Sequence, residues 1–166
     1  VYTDKENKYF DTPLMIAARE DLGEVCTALI KAGAKVSQSN EYGQTALMIA
    51  AQKGNQEVVT ALIDAGADVS QQEREGMTAL MYAAKKGNQK VVTALIDAGA
   101  DVSYKNAYGM TALMYAAANG QAKVVTALIG ARADVYQIEN EDKTALHFAA
   151  EYGHEAVVDI LLEKQT

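Results

Sequence analysis

The chain has 166 residues, 49% hydrophobic and 22% charged, a balance that suits a soluble globular domain and excludes a disordered tail. Its 22 acidic and 15 basic residues give a formal charge of −7, which works against a nucleic-acid partner. No apolar run reaches the roughly 18 residues of a membrane span, and no basic flank leads into an apolar stretch at the N-terminus as in a signal peptide.

Cys26 is the one cysteine, so neither an intramolecular disulfide framework nor a four-cysteine zinc site can be built, and a reducing compartment fits. The chain opens on Val1 rather than Met, which leaves room for an upstream segment. Localisation is therefore open, with the cytoplasm favoured.

One phrase organises the chain. It reads TPLMIAA from Thr12, TALMIAA from Thr45, TALMYAA from Thr78 and again from Thr111, and TALHFAA from Thr144, always 33 residues apart. A fixed period of that length marks a solenoid whose units pack on their neighbours. In the first unit Thr12 is placed to cap a helix, and Pro13 follows at the first helical position, where its missing N–H costs nothing. In the second unit Leu47, Ala50 and Ala51 recur at helical spacing, and Val58, Val59, Leu62 and Ile63 form a second stripe. Gly54 supplies the turn between these two helices, Gly66 ends the second, and Gly43 serves the hairpin before Thr45. The third unit repeats this pattern. The fourth breaks it at "LIGARADV", where Arg132 takes the place of the helix-ending glycine and Gly130 falls two residues early, inside the helix. That break predicts that the junction between the fourth and fifth units is the weakest.

The pattern G-x-T-A-L-M-x-A-A-x-x-G followed by V-V-x-x-L-I-x-x-G-A-D-V closely resembles the ankyrin repeat, over about 160 residues. The resemblance implies an all-α repeat solenoid, a single domain over 1–166 of ankyrin-type helix pairs joined by β-hairpin loops. The repeats fall at about 7–39, 40–72, 73–105, 106–138 and 139–166. It also implies a concave face, lined by hairpins and first helices, that binds other proteins. The family's His after T-P-L is Met15, Met48, Met81 and Met114 here and survives only as His147, so the usual histidine bonds between repeats are largely absent. Phe10 and Asp142 stand at hairpin glycine positions, Asp21 at an inter-helix one, and Ile160 replaces Ala28, Ala61, Ala94 and Ala127 of the other units. Such divergence suits terminal repeats.

Catalytic readings find no support. His147 and His154 match family positions on opposite sides of a turn, and Cys26 replaces a valine of the second-helix stripe, which suits an inert buried thiol. The glycines recur once per unit with backbone duties rather than forming a phosphate loop. Asp64 and Asp68 recur in the next unit and read as a solvated rim. No cofactor or metal is expected.

A comparison of the chain with itself locates candidate contacts. Residues 45–77 and 78–110 differ at eight of 33 positions, five of them consecutive: Gln71 to Glu75 against Tyr104 to Tyr108, on the hairpin. Gln52 against Lys85 adds a sixth on the first helix. The family resemblance places these on the concave face, with Tyr9, Tyr42 and Tyr108 three places before their threonines and Met77 and Met110 one place before theirs, all pointing away from the core. Aromatics, Met and Arg are enriched at interfaces. Arg74, Lys85 and Lys86 form a small basic cluster, and Gln44, Lys53, Glu75 and Asn119 complete the candidate surface. Tyr82, Tyr115 and Phe148 alternate with Ile16 and Ile49 and read as packing residues. The expectation is a monomeric, non-catalytic module that binds a protein partner; the alternative is a designed or consensus-like repeat scaffold, or a spacer segment of a larger protein, without a dedicated partner.

Overall fold

The computed structural model describes residues 10–166. Its helices come in five pairs: α1 (Pro13–Arg19) with α2 (Gly23–Lys31), α3 (Ala46–Lys53) with α4 (Gln56–Asp64), α5 (Ala79–Lys86) with α6 (Gln89–Asp97), α7 (Ala112–Ala118) with α8 (Ala122–Gly130), and α9 (Ala145–Glu151) with α10 (Glu155–Gln165). Among the described residues the hairpins form no continuous strand, only an isolated antiparallel bridge between Ser39 and Thr45. None of these helices is long and apolar enough to cross a membrane. Tyr9 and the proposed start of the first unit at residue 7 lie outside the described residues.

Local chemistry sets the helix starts. The side-chain oxygens of Thr12, Thr45, Thr78 and Thr111 each accept from the backbone N–H three residues on, at 3.2–3.3 Å, satisfying one of the free amides of the first turn. Asn55 and Asn88 do the same for α4 and α6. The break in the fourth unit is real: Arg132 adopts a left-handed φ of 69°. Gly130, however, is the last residue of α8 rather than an interior one, so its entropic cost is smaller than its position in the sequence suggests.

First helices pack on first helices, and second on second, so every pair covers the apolar side of the one before it. The first-helix row packs more closely, because small buried residues such as Ala50, Ala83 and Ala116 let the backbones approach. Leu47, Leu80 and Leu113 are each 1% exposed, a burial worth about 1.5–3 kcal/mol per side chain.

This stacking also explains the methionines. Met15, Met48, Met81 and Met114 are at most 2% exposed because the next pair covers them, which favours an apolar side chain over an imidazole. His147 stands at the same place in α9, where no later pair follows among the described residues. It is exposed, and its Nδ1 accepts from the Thr144 N–H at 3.0 Å. His154 Nε2, by contrast, reaches across to the carbonyl of Ala118 at 2.9 Å. Cys26 is fully buried, and burial pushes its thiol pKa up.

Candidate functional site

Four hairpins among the described residues are each held by one polar side chain turned inward. Asn40 Oδ1 accepts from the backbone N–H groups of Tyr42 and Gln44, both at 3.0 Å. Glu73 Oε1 does so for Glu75 and Met77, Asn106 Oδ1 for Tyr108 and Met110, and Glu139 Oε1 for Glu141 and Lys143. Successive hairpins are then tied together: Arg74 N–H donates to the Tyr42 carbonyl at 3.1 Å, Ala107 to Glu75 at 3.0 Å, and Asn140 to Tyr108 at 3.1 Å. The tips form a fixed row before any partner arrives, which lowers the ordering entropy that binding would otherwise cost.

On this row Tyr42 and Tyr108 are 49% and 52% exposed, as expected. Met77 and Met110 are not. Met77 is 7% exposed, and Asn106 of the next hairpin donates to its sulfur at 3.4 Å; Met110 is half-buried against the core. Met77 is covered by the hairpin that follows it, and Met110 packs partly against the core.

The row is electrostatically coupled to the helices behind it. The Glu75 carboxylate beside Tyr108 raises the pKa of that phenol, first by its charge and then through their hydrogen bond. Tyr115 is half-buried, its pKa raised by burial, and its phenolic oxygen accepts from Asn106 Nδ2 at 2.8 Å. Tyr82 is also half-buried, and burial again raises its pKa. Tyr82 does more than pack: together with Gln52, Lys85, Lys86 and Asn119 it lines a shallow cleft of about 260 Å³ between α3, α5 and the end of α7. A second cleft of about 270 Å³ is lined by Asp11, Arg19, Asn40, Tyr42 and Gln44.

Of the expected contact residues, Gln52, Lys85, Lys86 and Asn119 share one cleft, and Tyr42 and Gln44 the other; Lys53, Arg74 and Glu75 are exposed. The Asp11–Arg19 ion pair was not legible in advance. Asp11 is 2% exposed and also accepts from Asn40 Nδ2 at 2.8 Å. Burial pushes its pKa up, but the bonds from Arg19 and Asn40 outweigh that and hold it below the usual carboxylate value. Asp68 bonds the backbone and hydroxyl of Ser70 at 2.9 and 2.6 Å, so it closes its own loop. Among the described residues no group of three or more His, Cys, Asp or Glu side chains is placed to hold a metal ion.

Comparison with known proteins gives the family. No curated protein matches the chain at a significant level. A family model described as "Ankyrin repeats (3 copies)" matches residues 2–73, 65–138 and 103–166. Ankyrin repeats are generally protein–protein interaction modules and are typically non-catalytic. With helix pairs stacked along its described length and family matches that reach from residue 2 to residue 166, the chain belongs to the ankyrin repeat family.

Proposed function

We propose that the chain is a non-catalytic binding module that holds one protein partner against its concave face. The hairpin tips and the exposed side of the first helices carry the contact, with Tyr42, Tyr108, Gln52, Lys85, Lys86 and Asn119 at its centre. The supporting observation is the pair of half-exposed tyrosines on tips whose backbones are already hydrogen-bonded. Tyrosine presents a large apolar area and a polar end at low entropic cost, and such residues dominate binding energies.

The test uses a partner captured from lysate by the wild-type chain. Tyr42→Ala and Tyr108→Ala should each weaken it by about 1–2 kcal/mol by calorimetry while thermal stability hardly changes. Unchanged affinity in both variants would remove the concave-face reading. The near identity of residues 45–77 and 78–110 favours a second reading, a consensus-like scaffold with no dedicated partner. Specific capture that depends on these tyrosines would eliminate it.

A further inference from the structure

We infer that the groove floor over α3 and α5 takes an acidic segment of the partner, its carboxylates seated against Lys53, Lys85 and Lys86. This rests on the protein-binding reading above and names the chemistry of the occupant. Three observations carry it. All three lysines are exposed in the last turns of α3 and α5, in a chain of net charge −7, yet none makes an ion pair among the described residues.

Cations at a helix C-terminus are favoured, and Arg19, Lys31 and Lys164 likewise stand in the last turns of α1, α2 and α10, so the helix dipole accounts for part of this placement. It is not the whole pattern, since α4 and α6 end on Asp64 and Asp97 and α7 has no basic residue in its last turn.

Two carboxylates whose charge reaches Tyr82 are hydrogen-bonded on the hairpins rather than to the lysines. Glu73 holds the hairpin amides of Glu75 and Met77, and Glu75 bonds the Tyr108 hydroxyl. The cleft lining itself contains no carboxylate: it offers Lys85 and Lys86, the Tyr82 ring, the Gln52 amide and Asn119, whose Nδ2 is bound to the Tyr115 carbonyl, and Lys53 is exposed in the last turn of α3. At about 260 Å³ the cleft falls below the roughly 300–1,000 Å³ of sites that engulf a free small molecule. Its size suits side chains delivered by a larger body. A partner carboxylate would gain a charge-assisted bond to Lys85 or Lys86, with an adjoining apolar side chain on the face of Tyr82.

The experiment selects short random peptides on the immobilised wild-type chain and measures the affinity of those recovered for four proteins: wild type, K53Q/K85Q/K86Q, Y42A/Y108A, and K90Q as a control on the exposed face of α6. Recovered peptides should be enriched in Asp and Glu. Their affinity should fall about tenfold or more in the triple lysine variant, with an unchanged melting temperature and a flatter salt dependence, and hold in K90Q. Neutral or basic binders, equal loss in K90Q, or no binder at all would overturn the acidic-segment inference. Binders that respond to Y42A/Y108A but not to the lysine variant would overturn it while leaving the concave-face reading standing. Binders indifferent to both variants would sink both.

Discussion

Hairpin glycines and helix-ending glycines recur equally often in this chain, yet the two sides of the array constrain them differently. At Gly109, with φ of 77°, an added Cβ would lie 2.7 Å from Asn140 Oδ1 and 2.9 Å from the Asn140 backbone nitrogen, because the next hairpin stacks directly on it. At Gly66, with φ of 89°, nothing lies within 4 Å, and only the backbone angle asks for glycine. The hairpin side is knitted across repeats by backbone bonds; on the exit side of the second helices the bonds across repeats involve side chains, as from the Asp68 N–H to Ser37 Oγ at 3.2 Å, and Gly66 stands clear of them. A repeat array can therefore vary its exit loops cheaply, and the fourth unit does so at Arg132. Asp142 holds φ of 64° at the last hairpin, where no later hairpin follows among the described residues. Phe10 takes the same place at the first hairpin with φ of 59°, and nothing in the structure explains a residue with a Cβ there.

The sharpest way to break this comparison is a matched pair. Gly109→Ala should lose about 2–3 kcal/mol in denaturant unfolding, combining backbone strain with steric crowding. Gly66→Ala should lose only about 1 kcal/mol, from the backbone angle alone. Equal losses would mean that the hairpin contact relaxes without cost.

The exit side yields the next effect, and it is a gain. The double substitution Gly130→Asp with Arg132→Gly restores the "IDAGADV" of the second and third units, and an added side chain at Gly130 meets nothing within 4 Å. It should add about 1 kcal/mol. Because repeats couple mainly to their neighbours, amide exchange should slow in α9 and α10. Stability and exchange both unchanged would show that the break is structurally silent.

An effect of similar size, confined to a pH window, tests the hairpin side at its N-terminal end. Asp11→Asn should cost roughly 1 kcal/mol near neutral pH, a figure discounted because the Arg19 side chain is 38% exposed. The folded pKa of Asp11 lies below its ordinary 3.8, so the carboxylate's contribution is complete above that value and disappears as pH falls through the folded one. The stability difference between wild type and variant should therefore stay flat at neutral pH and close below about 3.8. A difference that persists into strong acid would assign Asp11 a packing role.

Much of this was legible because the repeat turns local rules into a period. Thr45 caps, Gly54 turns, and the Ala and Leu of TALMIAA pack wherever they recur, since each depends on neighbours a few residues away. Tyr42 and Tyr108 were readable as exposed because a hairpin tip has no cover in any array. Met77 was misread for a definite reason: it is covered by Asn106, 29 residues on. The alternation with Ile16 and Ile49 predicts a packing role for Tyr82, which it has, and the same ring also borders an open cleft beside Lys85 and Lys86.

What the sequence alone determined is the unit: its length, its helix pair, its caps, and the positions where φ must be positive, all consequences of short-range sterics and hydrogen bonding. Stacking decided the rest. It buried Met15, Met48, Met81 and Met114 while leaving His147 exposed, joined Asp11 to Asn40, and left Lys53, Lys85 and Lys86 without anions in an acidic protein. Contacts of that kind link residues about one repeat apart, or leave a charge unmatched because nothing arrives from the next repeat. They exist only once the backbone has placed each unit against its neighbour.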